Sequence, residues 1–240
     1  MLPRTLEPEV MDTAEEAADY DAMDHSEVNR RFVDDWGMAS QAKGDTAAAT
    51  LRMLDVGTGT ALIPIEFCQR FPSVQIVAID LATEMLKLAA ANVDRAGFSD
   101  RIELRLVDAK RISCADRVFE TVVSNSIIHH IPQPIDSLTE MVRVLAPGGL
   151  LFVRDLMRPA TETELEALVQ AYTQGATPSM RQLFRQSLHA ALTVDEVAEM
   201  LAQLGLSRDW VRATSDRHWT MSGAMPLVEV SVCQPPRGAE

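Results

Sequence analysis

The pattern of apolar and polar positions becomes regular near residue 51. From there to residue 156, short apolar runs alternate with stretches whose apolar residues recur every three or four positions. Short runs of this kind predict buried strands, and the wider spacing predicts amphipathic helices. Alternating strands and helices predict right-handed crossovers and a mostly parallel sheet. The predicted strands are 51–56, 74–80, 101–109, 119–126 and 150–156.

An arm that precedes this region is also predicted to be helical. Thr13 opens a capping-box pattern, and Ser26 is placed to cap a second helix. In the second helix Val28, Phe32 and Trp36 recur every four residues, which predicts one buried stripe. The helix is expected to end near a glycine at position 37. The small and polar residues 41–50 that follow are predicted to form a linker.

Beyond the fifth strand the alternation pauses. Residues 161–175 and 180–192 each have the spacing of a helix. Thr193, with Glu196 three residues later, predicts a capped helix that closes at Gly205. Two short strands, 209–214 and 217–221, are then expected to form an antiparallel hairpin. The last apolar stretch, 227–234, is compatible with a strand or an ordered tail.

Charge limits the classes of partner. The formal net charge is −13, and residues 1–29 carry nine acidic side chains and one base, a net of −8. A protein this acidic repels phosphate backbones, so we expect no nucleic-acid partner. The acidic arm has two open interpretations, a solvated segment or a lid over a binding site.

The rest of the composition indicates a reduced, cytoplasmic protein. The three cysteines are scattered and show neither a CxxC pair nor a zinc spacing. The start of the sequence has no basic segment followed by an apolar one, so no signal peptide is expected. No apolar run approaches the ~20 residues of a membrane span, so no membrane association is expected. A monomer and a homodimer both remain open.

The most informative stretch is LDVGTGT, residues 54–60. Gly57 and Gly59 allow the main chain to approach a ligand closely, and the helix that follows offers unpaired N–H groups. A dinucleotide site needs a third glycine in G-x-G-x-x-G, but Leu62 occupies that position. Asp55, before the first glycine, would repel a pyrophosphate. The turn therefore disfavours an NAD-dependent oxidoreductase and suits a cationic ligand, such as one that carries an ammonium and a sulfonium.

Five segments in register resemble the class I S-adenosylmethionine-dependent methyltransferases. They are LDVGTGTALIPIEF, VAIDLATEML, RLVDAKRI, the strand ending SNSIIHHI, and EMVRVLAPGGLLFVRDL, and together they cover about residues 50–156. The helix LTVDEVAEMLAQLGL is also similar to the element before that family's last hairpin. One departure is Ala61, where the family often has a third glycine. Alanine is the mildest change there, so we expect binding to survive it.

The resemblance implies an α/β, Rossmann-like fold. Its sheet would be mostly parallel and seven-stranded, with helices on both faces and an antiparallel last strand. The chain would divide into an N-terminal helical arm or lid at 1–45 and a cofactor-binding core at 50–158. A helical insertion at 159–192 would follow, and residues 193–240 would supply the last helix, the hairpin and the tail.

The resemblance also implies S-adenosyl-L-methionine as cofactor and assigns its contacts. Asp55 would face the methionine ammonium. Asp80 would accept both ribose hydroxyls, which suits an acceptor-only carboxylate. Asp108 would accept from the adenine amino group. The whole expected binding set is Asp55, Gly57, Thr58, Gly59, Asp80, Leu81, Met85, Asp108, Ala109, Asn125 and His130.

The fourth predicted strand ends in two adjacent histidines, His129 and His130. In the family this loop borders the transferred methyl group, so one of them is expected to orient or deprotonate a small-molecule acceptor, with a slight preference for His129. A histidine pKa near 6.5 suits an O–H, N–H or S–H nucleophile. The other polar groups expected to converge on this point are Tyr20, Asp21, His25, Asp155, Arg158 and His218.

Alternatives to this interpretation remain open. A non-methylating enzyme of the same fold would use the cofactor for other chemistry, and a regulatory protein would bind it without turnover. No bound metal is expected, because no local metal-binding signature occurs. A nitrogen and oxygen site would have to assemble from distant residues, namely His25, His129, His130, Asp155 and His218.

Overall fold

The computed structural model describes residues 1–8, 12–43 and 51–227. Its centre is one seven-stranded sheet. The strands are β1 (Leu51–Val56), β2 (Val74–Asp80), β3 (Ile102–Leu106), β4 (Phe119–Asn125), β5 (Leu145–Leu156), β6 (Val211–Ala213) and β7 (His218–Ala224).

Eight α-helices surround the sheet within the described part of the chain. They are α1 (Ala14–Asp21), α2 (Ser26–Lys43), α3 (Leu62–Arg70), α4 (Thr83–Ala96), α5 (Pro134–Val144), α6 (Glu162–Tyr172), α7 (Pro178–Ala190) and α8 (Val194–Gln203). Short 3₁₀ turns occupy Ile128–His130 and Arg208–Trp210. No helix in these ranges is long and apolar enough to cross a membrane.

The strand order is β3-β2-β1-β4-β5-β7-β6. The pairs from β3 to β5 are parallel, and β7 runs antiparallel to both of its neighbours. This confirms the predicted Rossmann-like sheet. The strand order reverses between β1 and β4, and ligands of such sheets bind beyond the carboxyl ends of the strands at that point.

Helices cover both faces because neighbouring strand residues point to opposite sides. Leu54 of β1 belongs to the cluster beneath α5 and α8, whereas Met53 belongs to the cluster beneath α2, α3 and α4. In the second cluster Trp36 of α2 packs edge-on against Phe67 and donates from Nε1 to the Thr121 hydroxyl at 3.1 Å. Helix α2 is therefore part of the core.

Two details of the predicted arm are wrong. Helix α2 continues through Gly37 to Lys43, so residues 41–43 are helical, and the rest of the predicted linker lies outside the described residues. Val28 is 49% exposed, and the buried stripe begins one turn later at Phe32. Helix α1 begins directly after Thr13, as expected, but the side chain of Glu16 is outside the described residues.

Several strand boundaries also differ from prediction, and the hairpin strands are Val211–Ala213 and His218–Ala224 in place of 209–214 and 217–221. β3 ends at Leu106 and not at residue 109, and β5 begins at Leu145 because the Pro-Gly-Gly segment joins the sheet through an irregular register. The capping box of Thr193 and Glu196 is confirmed at the start of α8. The predicted last stretch lies outside the described residues from residue 228 onward.

Candidate active site

The turn between β1 and α3 has the backbone that its glycines predict. Gly57 and Gly59 have φ values of +75° and +55°. A Cβ atom on Gly57 would lie 2.2 Å from Cγ2 of Ile127, so the turn and the loop after β4 touch there without space for a side chain. Ala61 also has a positive φ, +62°, which explains why glycine suits that position.

A cleft opens at the carboxyl ends of β1, β2, β3 and β4. It is lined by residues of the glycine turn, the three strand ends beside it and helix α1. Of the residues singled out in the sequence, the cleft collects Tyr20, Gly57, Gly59, Asp80, Leu81, Met85, Asp108, Ala109, Asn125 and His130.

Asp55 and Thr58 lie behind the cleft lining, and both are buried. Burial raises the pKa of the Asp55 carboxyl to about 7, the nearby Thr58 hydroxyl counters part of the rise, and the charge of Asp80 adds to it. Oδ2 of Asp55 and the Thr58 hydroxyl make no hydrogen bond to any described residue. Buried polar atoms of this kind require a partner. A cationic ammonium, which donates and neutralises, fits the carboxylate.

Asp80, at the end of β2, is held by main-chain groups. Its Oδ2 accepts from Gly59 N at 2.7 Å and its Oδ1 accepts from Ala82 N at 2.9 Å. Burial raises its pKa, although these N–H groups oppose the rise. Each carboxylate oxygen has a second lone pair, so the fixed carboxylate can still accept two hydroxyl donors. This arrangement fits a ribose diol.

Asp108 follows β3 and is half-buried at the far end of the cleft. Burial would raise the pKa of its carboxyl, but Lys110 outweighs that effect through main-chain and side-chain contacts, so the pKa is lowered. Oδ1 accepts from Lys110 N at 2.9 Å. A charged acceptor at this edge fits the exocyclic amino group of a purine.

Helix α1 closes one side of the cleft through Tyr20. Burial, followed by the charges of Asp80 and Asp55, raises the pKa of the Tyr20 phenol to about 12, so the hydroxyl keeps its proton. The ring lies 3.6 Å from where a Cβ on Gly59 would stand. The space inside the cleft measures about 140 Å³, less than the ~300–1,000 Å³ of common small-molecule sites. Helix α1 therefore narrows the cleft.

The two histidines have different surroundings. His130 lines the cleft, and its side chain is 21% exposed. His129 is 3% exposed and lies behind the cleft, with its Nδ1 at 2.5 Å from Oδ1 of Asp155. The geometry therefore does not favour the expected preference for His129, because its ring is enclosed in the protein interior.

The remaining candidates are placed elsewhere. His25 packs on Tyr20, and its Nε2 is 3.1 Å from the Tyr20 carbonyl, outside the cleft lining. Asp21 accepts from the Asn92 amide at 2.8 Å. Burial is the main cause that lowers the pKa of His218, to about 4, and its Nδ1 pairs with a serine hydroxyl.

Arg158 is likewise turned away from the cleft. It is buried beneath α8, where it donates to the carbonyls of Leu2 and Ala191 and pairs with Glu196. Asp155 supports His129 and does not line the cleft. Arg158 was expected at the reaction centre only because it follows a strand end, and its side chain instead binds the first residues of the chain.

Sequence reasoning missed Glu7. Its side chain is 6% exposed, and its Oε1 lies 3.0 Å from Nδ1 of His130 and 3.5 Å from Nε2 of His129. Among the described residues, Glu7, His129 and His130 are the side chains whose ligand atoms lie close enough together to share one cation. This group differs from the metal site that the sequence left open, which comprised His25, His129, His130, Asp155 and His218. An acid in a strongly acidic segment carries no signal that distinguishes it from its neighbours.

Comparison with known proteins agrees with the fold. Residues 54–153 match the family model described as a methyltransferase domain. The chain is 34% identical over 189 residues to a malonyl-[acyl-carrier protein] O-methyltransferase of Geobacter sulfurreducens, covering 79% of this chain. The match spans 66% of that relative's length, slightly less than two thirds.

Solved structures share the fold. A candidate S-adenosyl-L-methionine-dependent methyltransferase of Methanococcus maripaludis superposes with a TM-score of 0.68 at 17% identity, covering 94% of this chain and 99% of that one. The plantazolicin methyltransferase BpumL, solved with S-adenosylhomocysteine (SAH), gives 0.66 at 14% identity over 86% and 88% of the two chains. The methyltransferase domain match, the relatives and the shared fold together support a class I S-adenosylmethionine-dependent methyltransferase, with S-adenosylmethionine as methyl donor.

Proposed function

We propose that the protein transfers a methyl group from S-adenosylmethionine to a small-molecule acceptor that carries an ionisable proton. The observation that carries the proposal is the set of three carboxylates, Asp55, Asp80 and Asp108, at neighbouring strand ends beside the glycine turn. Each offers acceptor oxygens of the kind that an ammonium, a ribose diol or an adenine amino group requires.

His130 is the residue proposed to act on the acceptor. It belongs to the loop after β4, together with Asn125, and both line the cleft. The cofactor supplies an electrophilic methyl carbon there. His130 then orients the acceptor or takes its proton, a role worth ~10²–10⁴-fold in rate. The side chain reaches the cleft because the 3₁₀ turn Ile128–His130 directs the buried His129 inward.

The net charge of the protein and the proposed base, His130, together limit the class of acceptor. A formal charge of −13 disfavours a polyanionic substrate. A malonyl carboxylate, as borne by the substrate named for the Geobacter relative, is already ionised at neutral pH and needs no base. A histidine at the methyl end instead favours an acceptor that still holds its O–H, N–H or S–H proton.

Helix α1 is proposed to act as a lid. It packs on α4 through Ala17, Ala82 and Met85, and the carboxylate of Asp12 accepts from Glu84 N at 2.8 Å. Because the space inside the cleft is small, a nucleoside-sized ligand would enter by displacing this helix. Tyr20 would then close over the bound cofactor.

Two measurements test the function. Calorimetry with SAH should detect binding to the parent protein and to His130→Ala within a few fold, because His130 is placed at the acceptor end. Tritiated S-adenosylmethionine, offered with a panel of phenols, amines, thiols and a malonyl thioester, should then label one acceptor class and release SAH.

The two results separate the alternatives. Cofactor binding without any labelled product across the panel would count against methyl transfer. Product formation that is equal in the parent protein and in His130→Ala would remove His130 from the reaction. Conversion of an acceptor without release of SAH would indicate a non-methylating enzyme.

A further inference from the structure

The first eight residues of the chain are fixed against the body of the protein. Leu2 N donates to the Ala160 carbonyl at 3.0 Å, and Thr5 N donates to the His189 carbonyl at 3.1 Å. The Arg158 guanidinium donates to the Leu2 carbonyl at 2.9 Å. These contacts place the segment between the end of β5 and the end of α7, next to the loop that carries the two histidines.

Arg4 joins this segment to that loop directly. Its Nη2 donates to the carbonyls of His129 at 3.1 Å and Ile131 at 3.0 Å. Its Nε donates to the Ala190 carbonyl at 2.6 Å, and Nη1 lies 3.4 Å from the Pro132 carbonyl. One guanidinium therefore holds the main chain on both sides of His130.

Glu7 follows three residues later and reaches His130. Its Oε1 lies 3.0 Å from Nδ1 of His130, and its Oε2 accepts from the Ser187 hydroxyl at 3.2 Å. Both Oε1 and Nδ1 are buried, and neither makes a hydrogen bond to any described residue, each other included. The distance is that of a hydrogen bond, although the present angle is poor. Catalytic hydrogen bonds are often poorly aligned before substrate binds.

His129 contributes a charge to this cluster and not a ligand atom. Burial lowers its pKa, but the charge and hydrogen bond of Asp155 outweigh burial, so the pKa is raised and the protonated ring is favoured. Two carboxylates, Asp155 and Glu7, are then balanced by two cations, His129 and Arg4. A divalent ion among Glu7, His129 and His130 would leave the buried group positive, so proton handling suits it better than metal binding.

We infer that Glu7 is a positioning residue that fixes the tautomer of His130. The carboxylate accepts the Nδ1–H, so the lone pair of Nε2 faces the cleft, in the manner of the carboxylate of a serine protease triad. When the acceptor atom bonds the methyl carbon, its proton passes to Nε2, and the sulfur keeps the electron pair of the broken bond. The N-terminal segment thus completes the site. This inference depends on the proposed role of His130.

The tautomer can be measured without any acceptor. Long-range ¹H–¹⁵N spectra of ¹⁵N-histidine-labelled protein with SAH, at about pH 8 where free imidazole is neutral, should show His130 as the Nδ1–H form. Glu7→Met preserves volume and removes the acceptor oxygen, so the ratio of tautomers should shift at least about tenfold. Glu7→Gln, which keeps an oxygen, should retain most of the Nδ1–H form.

Glu162→Gln is the matched control. The carboxylate of Glu162 also faces a histidine, with its Oε1 at 3.6 Å from Nε2 of His189, but Glu162 is exposed at the protein surface. It should leave the His130 signals unchanged. An Nε2–H form of His130 in the parent protein would overturn the inference by itself, as would an unchanged ratio in folded Glu7→Met.

Turnover separates this inference from the proposed function. Once an acceptor is found, Glu7→Met should lower kcat by at least about tenfold, since a positioned base is worth ~10²–10⁴-fold, while SAH affinity stays constant. A shifted tautomer with no methylated product in any variant would leave Glu7 as a positioning residue and refute the function. If the tautomer ratio does not shift in Glu7→Met and methylation is normal, the proposed function stands and the positioning role of Glu7 is refuted.

Discussion

Gly57→Ala is expected to destabilise the fold far more than Gly59→Ala, although both glycines have a left-handed backbone. The conformation costs a non-glycine residue roughly 1–2 kcal/mol in either variant. At Gly57 the new Cβ would also stand 2.2 Å from Cγ2, 2.9 Å from Cδ1 and 3.0 Å from Cβ of Ile127. Side-chain rotation can move the first two atoms, but the Ile127 Cβ is fixed by its backbone.

Overpacking of a core typically costs about 1–3 kcal/mol. Gly57→Ala should therefore lose about 2–5 kcal/mol of unfolding free energy. The Cβ of Gly59→Ala would meet only Tyr20 Cε1 at 3.6 Å, an ordinary contact. That variant should lose no more than the ~1–2 kcal/mol of backbone strain.

Urea unfolding of the cofactor-free protein, followed by circular dichroism, measures both changes on one scale. The comparison removes effects that any alanine in this turn would share. Losses that agree within about 0.5 kcal/mol would refute the argument, because they would mean that Ile127 moves aside at no cost. The contact between the glycine turn and the loop after β4 would then not be fixed.

Three further outcomes are expected. Asp80→Asn should weaken SAH binding on the order of 10-fold or more, because an amide replaces one acceptor oxygen with a donor. Calorimetry measures the affinity, and an unchanged value would refute the contact between Asp80 and the ribose. Because the Asp55 pKa is raised to about 7 mainly by burial, S-adenosylmethionine affinity should rise as pH increases through that value, and Asp55→Asn should lose the slope. The pKa of His129 is raised, and that of Asp155 lowered, by their pairing against the opposing effect of burial. Their contribution to stability should thus be complete from about pH 4 to about pH 6.5. This contribution should fall as pH rises through the pKa of folded His129 or drops through that of folded Asp155. Urea unfolding of Asp155→Asn, extended to pH values above that range, should lack the alkaline decline.

The lid proposal has a structural consequence of its own. Asp21 of α1 accepts from Asn92 of α4, and the Asn92 amide also donates to the Thr60 carbonyl in the glycine turn. One side chain therefore links the lid, the helix beneath it and the cofactor turn. Movement of α1 would break the first contact while the second stays in place.

The sequence determined the sheet and placed the acidic strand ends and the glycine turn at one edge of it. Strand ends of a parallel sheet meet at one edge, so Asp80 and Asp108 could be placed from their positions after two apolar runs. Gly57 and Gly59 identified the turn because positive φ values there favour residues without a Cβ. These features are local, and the periodicity and turn chemistry of the chain specify them.

Only the tertiary structure decided which histidine faces the cleft. Adjacent residues differ in direction, and the 3₁₀ turn buries His129 against Asp155 while His130 remains at the surface of the cleft. The contact between Glu7 and His130 was equally hidden, because the two residues lie 123 positions apart in the chain and the neighbours of Glu7 are acidic too. Long-range packing assigns such roles, since burial and partner choice depend on contacts that no local pattern encodes.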